Sequence, residues 1–185
     1  AMPQDVDYVF IEGYLVQNHE LIERAVELSH QRGAKVCLDL ASWNIVESEH
    51  AFFERLLPNI DIVFANEDEA RAMTGRIGEE AARLLAQTCQ IAIVKCGPRG
   101  AVAVEGDQCV SAPATPVAQV LDTTGAGDFF AGGFLHRHAL GGSLKDCLCE
   151  GAACAGEVIQ VIGTPLPETT WQRLRAESTA RCSAH

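Results

Sequence analysis

Basic residues are scarce in this chain: 14 Lys and Arg stand against 25 Asp and Glu, and the formal net charge is −11. Proteins that wrap nucleic acid or lie on anionic lipid need clustered Lys and Arg. We therefore expect neither a nucleic-acid partner nor a membrane surface, and small-molecule chemistry is the favoured class of function.

Long apolar runs are also missing. No run approaches the roughly 18 to 20 residues that cross a bilayer, and the first ten residues lack the basic region and the apolar stretch of a signal peptide. These absences predict a cytoplasmic protein. CxxC pairs are absent too, and the eight cysteines lie mostly inside apolar segments. We expect most of them to be reduced and buried rather than bound in disulfides or to metal.

The remaining composition, 48% hydrophobic and 21% charged over 185 residues, is typical of a globular protein. With no repeat and no low-complexity linker, we predict one domain over residues 1–185. Short apolar segments alternate with helix-like segments, and strands that are apolar throughout are typical of a parallel sheet covered by helices on both faces. The predicted fold is α/β, doubly wound and mainly parallel. The predicted strands are YVFI (8–11), KVCLDL (35–40), DIVFA (61–65) and IAIVKC (91–96).

The pattern changes after residue 96. AVAVE and QCVSA flank a Gly106-Asp107 turn, which predicts an antiparallel hairpin at the sheet edge. Two helices, at about 126–140 and 143–160, and a closing helix in TTWQRLRAES complete the prediction.

The stretch TTGAGDFFAGGF leaves the backbone uncovered where it enters a helix. Amide N–H groups of Gly125, Ala126, Gly127 and Asp128 can then converge on one anionic oxygen. The Asp128 carboxylate, in the first turn, is placed to accept a proton from an attacking hydroxyl. An equally weighted alternative for GAGD alone is a tight turn with an acid that complements the helix dipole.

Two other phosphate-binding loops fit less well. The spacing is GxGxxxxG rather than the GxGxxG of a dinucleotide-binding oxidoreductase, and the loop does not follow a first strand. A GxxxxGK[ST] loop is absent from the chain.

Taken with its context, DTTGAGDFFAGGF resembles the C-terminal signature of the PfkB, or ribokinase-like, family of carbohydrate and nucleoside kinases. ANEDEA matches that family's NxxE with Asn66 and Glu69, about sixty residues upstream. KCGPRG resembles the family's nucleotide-binding GxxG segment, and GEVIQVIGTPLPE (156–168) resembles its final helix and loop. The resemblance runs from about residue 8 to residue 168.

The resemblance implies an ATP-dependent phosphotransferase. The resemblance makes Asp128 the catalytic base of that reaction. The amides of residues 125–128 would stabilise the negative charge on the transferred phosphoryl group. Asn66 and Glu69 order Mg²⁺ through water. Nucleotide-binding positions are Lys95, Gly97, Gly100, Gly127 and, beside the adenine, Ala152.

The resemblance also implies a monovalent cation site, for which potassium is the candidate ion. The matching positions are Asp122 and the Thr124 carbonyl, with further carbonyls from the loop that contains Val158, Val161 and Gly163.

Some residues keep more than one interpretation. Asn66 and Glu69 also match a helix capping box, and Asp39 either faces the phosphates or caps a turn. His136 and His138 point to different faces of a helix, which disfavours binding of one metal ion by both. The seven-residue spacing of Cys147 and Cys154 is more typical of buried core residues than of metal ligands. A nucleotide-binding or regulatory module without turnover is the alternative function.

Kinases of this family run to about 300 residues, and the early glycine-rich signature and β-sheet lid that select the acceptor do not occur here. We therefore expect a C-terminal portion with weak or no kinase activity alone, and an exposed sheet edge that can pair in a homo-oligomer. The acceptor is a sugar or nucleoside of unresolved identity.

Overall fold

The computed structural model describes residues 5–182, with side chains through residue 178. The chain divides into two compact units, which are described separately. The first comprises Ala1–Cys96 and Val102–Cys109, and the second comprises Gly97–Ala101 and Val110–His185. The expectation of a single domain over 1–185 stays a prediction.

Six strands form one sheet in the order β1-β2-β3-β4-β5-β6. β1 to β4 pair in parallel, with Asn66 of β3 opposite Lys95 of β4. Only two residues connect β5 to its neighbour β6, so these strands form an antiparallel hairpin. The mainly parallel sheet with an edge hairpin is therefore confirmed. The strands are β1 Tyr8–Glu12, β2 Lys35–Asp39, β3 Ile62–Asn66, β4 Ile91–Lys95, β5 Ala101–Glu105 and β6 Gln108–Ala112.

The helices of the first unit pack on apolar strands and bury one continuous core. Strand residues such as Val36, Leu38 and Val63 are fully buried in it. The Asn18 side chain caps α1 by accepting a hydrogen bond from the Leu21 amide at 3.0 Å. These helices are α1 His19–His30, α2 Trp43–Ser48, α3 His50–Leu56, α4 Glu67–Thr74 and α5 Gly78–Leu85.

Three helices form most of the second unit: α6 Ala126–Ala139, α7 Leu144–Val158 and α8 Glu168–Cys182. A capping box between Ser143 and Asp146 begins α7. Glycines let α6 and α7 approach closely, because a Cβ at Gly133 would lie 2.8 Å from the Glu150 carbonyl oxygen. The three helices predicted here are confirmed to within a few residues.

Two helical details differ from the sequence-based expectation. Among the helix-like segments that alternate with the predicted strands, ESEHAFFERLLPN (47–59) corresponds to α3, whereas helix α2 before it was not predicted apart from its last two residues. Helix α4 was implied only by the capping-box interpretation of Asn66 and Glu69; that capping box begins it, and the left-handed Gly75 ends it. Both helices are short, so their apolar period is hard to detect.

Adjacent glycines of α6 provide a test of this packing. Gly132→Ala is expected to raise the free energy of unfolding by about 0.5–1 kcal/mol, because alanine is the better helix former and its Cβ would meet no atom outside its own helix within 4 Å. Gly133→Ala is expected to lower it by about 1–3 kcal/mol, because its Cβ would overlap α7. Urea denaturation measures both, and equal effects of the two changes would contradict the close α6–α7 contact.

Candidate active site

In the first unit, polar residues stand at the ends of three neighbouring parallel strands. Asp39 ends β2, Asn66 ends β3 and Lys95 ends β4. Ligands of open parallel sheets bind at the carboxyl ends of strands. Together with Glu69 in the first turn of α4, these residues form what we call the strand-end cluster.

An ion pair joins the ends of β2 and β4 across β3. The Lys95 Nζ lies 2.7 Å from Asp39 Oδ2, and the two side chains are only 16% and 11% exposed. The other oxygen of Asp39 accepts a hydrogen bond from the Ala41 amide at 2.9 Å. Ala41 has a φ of 68°, a conformation that non-glycine residues seldom adopt. Asp39 therefore both caps a turn and binds Lys95.

Asn66 and Glu69 form a reciprocal capping box. The Asn66 Oδ1 accepts from the Asp68 and Glu69 amides, each at 2.9 Å, and the Asn66 amide donates to Glu69 Oε2 at 2.7 Å. The Asn66 Nδ2 also donates to Glu69 Oε1. The capping alternative is thus present in the structure, and it orients the carboxylate that the family resemblance assigns to Mg²⁺. That metal role stays a prediction.

The Glu69 carboxyl group is 2% exposed, and its environment disfavours the charge. Burial raises its pKa from an ordinary 4.5 to about 7. The backbone hydrogen bond from Asn66 opposes this rise. Nearby Asp39 adds to it, and Lys95 opposes it. A proton on Glu69 in the folded state therefore competes with any cation at neutral pH.

This raised pKa predicts a pH-dependent stability. Between about pH 4.5 and 7 the unfolded chain ionises Glu69 while the folded chain keeps it protonated. The contribution of Glu69 to the free energy of unfolding is therefore full below pH 4.5. It is lost as the pH rises through 7, and the loss is about 3 kcal/mol in total. The free energy of unfolding, measured with denaturant at several pH values in this range, should fall with pH in wild type. In Glu69→Gln, which keeps the capping box, this fall should be absent. The exposed control Asp68→Asn should keep the fall in free energy of unfolding with pH. Wild type and Glu69→Gln with the same pH dependence would contradict its assignment to Glu69.

The donor set of the strand-end cluster fits an ion that keeps its waters. Carboxylate and amide oxygens are the ligands that Mg²⁺ prefers, and Mg²⁺ commonly takes only one or two carboxylates. Within residues 5–182, no group of three or more His, Cys, Asp or Glu is arranged to hold a metal ion. The cluster thus suits binding of Mg²⁺ through water by Glu69, rather than a closed metal cage.

In the second unit, residues 122–128 form what we call the anion loop. Gly125 has a φ of 76° and is the N-cap of α6, so it adopts the left-handed conformation that favours glycine. The first α-helical bond runs from the Phe129 amide to the Gly125 carbonyl at 2.9 Å, whereas the Ala126 amide donates to Thr123 at 3.2 Å. The Gly127 and Asp128 amides precede the helical ladder, and the Asp128 side chain is exposed beside them.

Asp122 joins this loop to the turn after α7. Its Oδ1 accepts from the Thr124 amide at 2.9 Å and from the Thr124 hydroxyl at 2.7 Å, and its Oδ2 accepts from the Gly163 amide at 2.9 Å. These bonds, the Thr124 amide first, hold the pKa of Asp122 below its usual range. Asp122, Thr124 and Gly163, three of the predicted cation-site residues, thus lie together.

The other two predicted cation-site residues lie at the end of α7. The Val161 amide donates to the Val158 carbonyl at 3.2 Å, closing a turn. The Val158 side chain is buried. Their assignment to a cation stays a prediction, since carbonyl ligands are offered by any such turn.

The predicted base-binding residues also lie in the second unit. Gly97 has a φ of 56° and Gly100 a φ of 94°, and a Cβ at Gly100 would overlap the Ala112 carbonyl oxygen. Ala152 lines a cavity of about 510 Å³, with Ala153 and Cys149 on the same face of α7. The segment Pro113–Pro116 forms another part of the lining. A cavity lined mostly by small apolar residues suits a nucleotide base.

Sequence reasoning missed a buried carboxylate in α7. Glu150, 5% exposed, accepts from Ser178 of α8 at 2.8 Å and lies 2.6 Å from His136 Nδ1 of α6. The sequence did contain a signal for this buried carboxylate, because Glu150 is the one acid within the apolar stretch CLCEGAAC. Asp128 and Glu150 both line a second cavity of about 550 Å³ between the three helices.

The side chains of His136 and His138 contact different partners. His138 stacks on Phe134, away from the His136 contact. Seven cysteines are free thiols, and burial raises the pKa of Cys37, Cys89 and Cys147 to about 12. Cys182 lies outside the described side chains.

Comparison with known proteins matches residues 2–171 to the pfkB family of carbohydrate kinases. A 2-dehydro-3-deoxygluconokinase of Haemophilus influenzae is 30% identical over 94% of this chain and 60% of its own length. A probable sugar kinase of Rhizobium etli superposes with a TM-score of 0.87 at 35% identity, over 95% of this chain and 55% of the other. An adenosine kinase of Sinorhizobium meliloti gives 0.86 at 34% identity, over 94% and 55%.

The chain therefore spans little more than half the length of these relatives. Both sugar and nucleoside kinases are among them. Within the described residues, no helix is long and apolar enough to cross a membrane.

Proposed function

Because the chain belongs to the pfkB family of carbohydrate kinases, we propose that it carries the ATP-binding and proton-accepting parts of a phosphotransferase. The reaction transfers the γ-phosphoryl group of ATP to a hydroxyl of a sugar or nucleoside. The kinase relatives support the reaction class, and the acceptor is left at that breadth because the relatives include both kinds.

The observation that carries the proposal is the entrance to α6. There the left-handed Gly125 turns the chain so that the Gly127 and Asp128 amides lie ahead of the first helical bond. Amides in such a position hold negative charge without a cationic side chain. Phosphoryl transfer needs chiefly this electrostatic stabilisation and positioning.

Asp128 supplies the proton acceptor. Its exposed carboxylate takes the proton of the acceptor hydroxyl as that oxygen forms a bond to the γ-phosphorus. The bond between the γ-phosphorus and the bridging oxygen breaks, and its electron pair leaves with ADP. The amides of Gly125, Gly127 and Asp128 receive the charge on the transferred group, whereas the predicted Ala126 amide already donates to the Thr123 carbonyl.

The remaining site residues bind the nucleotide and its cations. Glu69, oriented by Asn66, holds Mg²⁺ through water, and that ion neutralises phosphate charge when bound. Lys95 contacts phosphate, Gly97 and Gly100 leave the backbone open to the nucleotide, and Ala152 packs against adenine. A monovalent cation, K⁺ in this proposal, is held near Asp122 by carbonyls of the Thr124, Val158, Val161 and Gly163 positions.

Nucleotide binding is the property to test on this chain. Calorimetry should detect ATP binding in the presence of Mg²⁺, and Asp128→Asn should leave the affinity equal or higher, because it removes a negative charge beside the phosphates. Asp107→Asn, in the β5–β6 turn, is the matched control. A wild-type chain that binds no MgATP would contradict the proposal.

Phosphoryl transfer is tested with the same variants and an acceptor panel of ribose, fructose and adenosine. Any transfer should fall by about 10²- to 10⁴-fold in Asp128→Asn and be unchanged in Asp107→Asn. Equal rates in wild type and Asp128→Asn would remove Asp128 as the base. Because this portion is expected to have weak or no kinase activity alone, the full-length parent is assayed as well. Nucleotide binding without transfer by that parent would instead favour the nucleotide-binding module without turnover.

A further inference from the structure

The residue that follows the proposed base is held by a helix that has no part in the proposed reaction. The Phe129 ring stacks on Trp171 of α8, with ring centroids 5.6 Å apart and an angle of 23° between the ring planes. We propose that Trp171 is a positioning residue for phosphoryl binding, because through Phe129 it holds the backbone amides at the start of α6. This inference rests on the proposed function, since it takes the anion loop as the site of the transferred phosphoryl group.

Phe129 closes the first turn of α6. Its amide donates to the Gly125 carbonyl at 2.9 Å, which is the first α-helical hydrogen bond of the helix. The amides of Gly127 and Asp128, which are proposed to bind the phosphoryl group, lie within the same turn. Their direction therefore depends on how Phe129 is held, and amides stabilise an anion best when they are already directed at it.

The Phe129 ring also forms one side of the space around Gly125. A Cβ added at Gly125 would lie 3.8 Å from Cδ2 of Phe129 and 2.7 Å from Cγ2 of Thr164. The left-handed glycine is thus enclosed by the Phe129 ring and by the turn after α7, in which the Gly163 amide binds Asp122. Displacement of the ring would alter the packing of the anion loop as well as the first turn of α6.

Helix α8, which carries Trp171, is fixed to α7 by polar contacts. The Ser178 hydroxyl donates to the buried Glu150 carboxylate at 2.8 Å. Arg173 Nη2 lies 2.7 Å from Glu157 Oε2. Both contacts join groups of the protein itself, so the fold sets the position of the Trp171 ring.

A cavity borders the stack and makes the Trp171 ring hard to replace. Asp128, Phe129 and Trp171 all line this space of about 550 Å³. Atoms that border a cavity lack packing partners on that side, so the Phe129 ring depends on the indole more than a fully packed ring would. Loss of the indole would enlarge the cavity and leave the first turn of α6 less restrained.

The test compares the Kd of ATP with the Kd of ADP, each measured by calorimetry with excess Mg²⁺. Only ATP carries the phosphoryl group that the anion loop is proposed to bind. Trp171→Leu should therefore raise the Kd of MgATP by about fivefold, as expected for a weakened hydrogen bond to a charged group, and change that of MgADP by less than about twofold. Trp171→Phe keeps a stacking ring and should retain the MgATP affinity to within about twofold. Gln172→Ala, at the next and exposed position of α8, is the control and should leave both values unchanged.

A double variant tests whether Trp171 acts through Phe129. Phe129→Leu should raise the Kd of MgATP by a similar factor. The double variant with Trp171→Leu should then lie within about twofold of either single variant, because residues in contact are not additive. Independent effects would instead multiply to about 25-fold, and that result would overturn the inference.

A purely structural role of Trp171 would weaken the binding of both nucleotides alike. Equal increases in the two Kd values, or an unchanged Kd of MgATP in Trp171→Leu, would therefore overturn the inference while nucleotide binding stands. A wild-type chain that binds neither nucleotide would contradict the proposed function, and the inference with it.

A second measurement keeps both rings and so does not depend on whether their loss is tolerated. Trp43 is half exposed, and Trp43→Phe leaves Trp171 as the one tryptophan of the chain. The Trp171 fluorescence should change as MgATP binds, with a midpoint equal to the calorimetric Kd, and should change less with MgADP. Fluorescence that saturating MgATP leaves unaltered would overturn the inference.

Discussion

The ion pair between Lys95 and Asp39 is the interaction on which the first unit's candidate site depends. It spans the ends of two parallel strands with a third between them, and both side chains are largely withdrawn from water. A buried pair of this kind adds little net stability, but loss of one partner leaves a charge uncompensated. Its value lies in fixing where charge is placed, near Glu69, a carboxyl group whose pKa burial raises to about 7.

In the second unit, the candidate site consists mainly of backbone amides exposed at the start of α6. A left-handed glycine at the start of α6 and an acid that binds both Thr124 and Gly163 keep the anion loop in one conformation. Close glycine contacts with α7 hold the helix that follows. The loop therefore depends on packing behind it rather than on cationic side chains, consistent with the scarcity of Lys and Arg in the chain.

Much of the fold was predictable from local patterns. The apolar strands, the two-residue hairpin turn and the long helices α6 and α7 are each indicated by residues within a short stretch of the chain. Helix α4 was indicated only by its capping box, because NEDEA is short and polar, and α2 was missed because it has only 6 residues. A cytoplasmic location and a homo-oligomer stay predictions.

For the candidate site, the sequence by itself determined the kinds of chemistry and their family: a glycine-rich helix entrance with an acid, and an Asn-Glu pair at a strand end. These are local features, because capping and amide exposure arise within a few residues. Only the tertiary structure decided that Asp39 binds Lys95, that Asp122 binds Gly163 and that Glu150 binds His136 and Ser178. Those partners are distant along the chain, and burial makes their pairing necessary only once the strands and helices have packed.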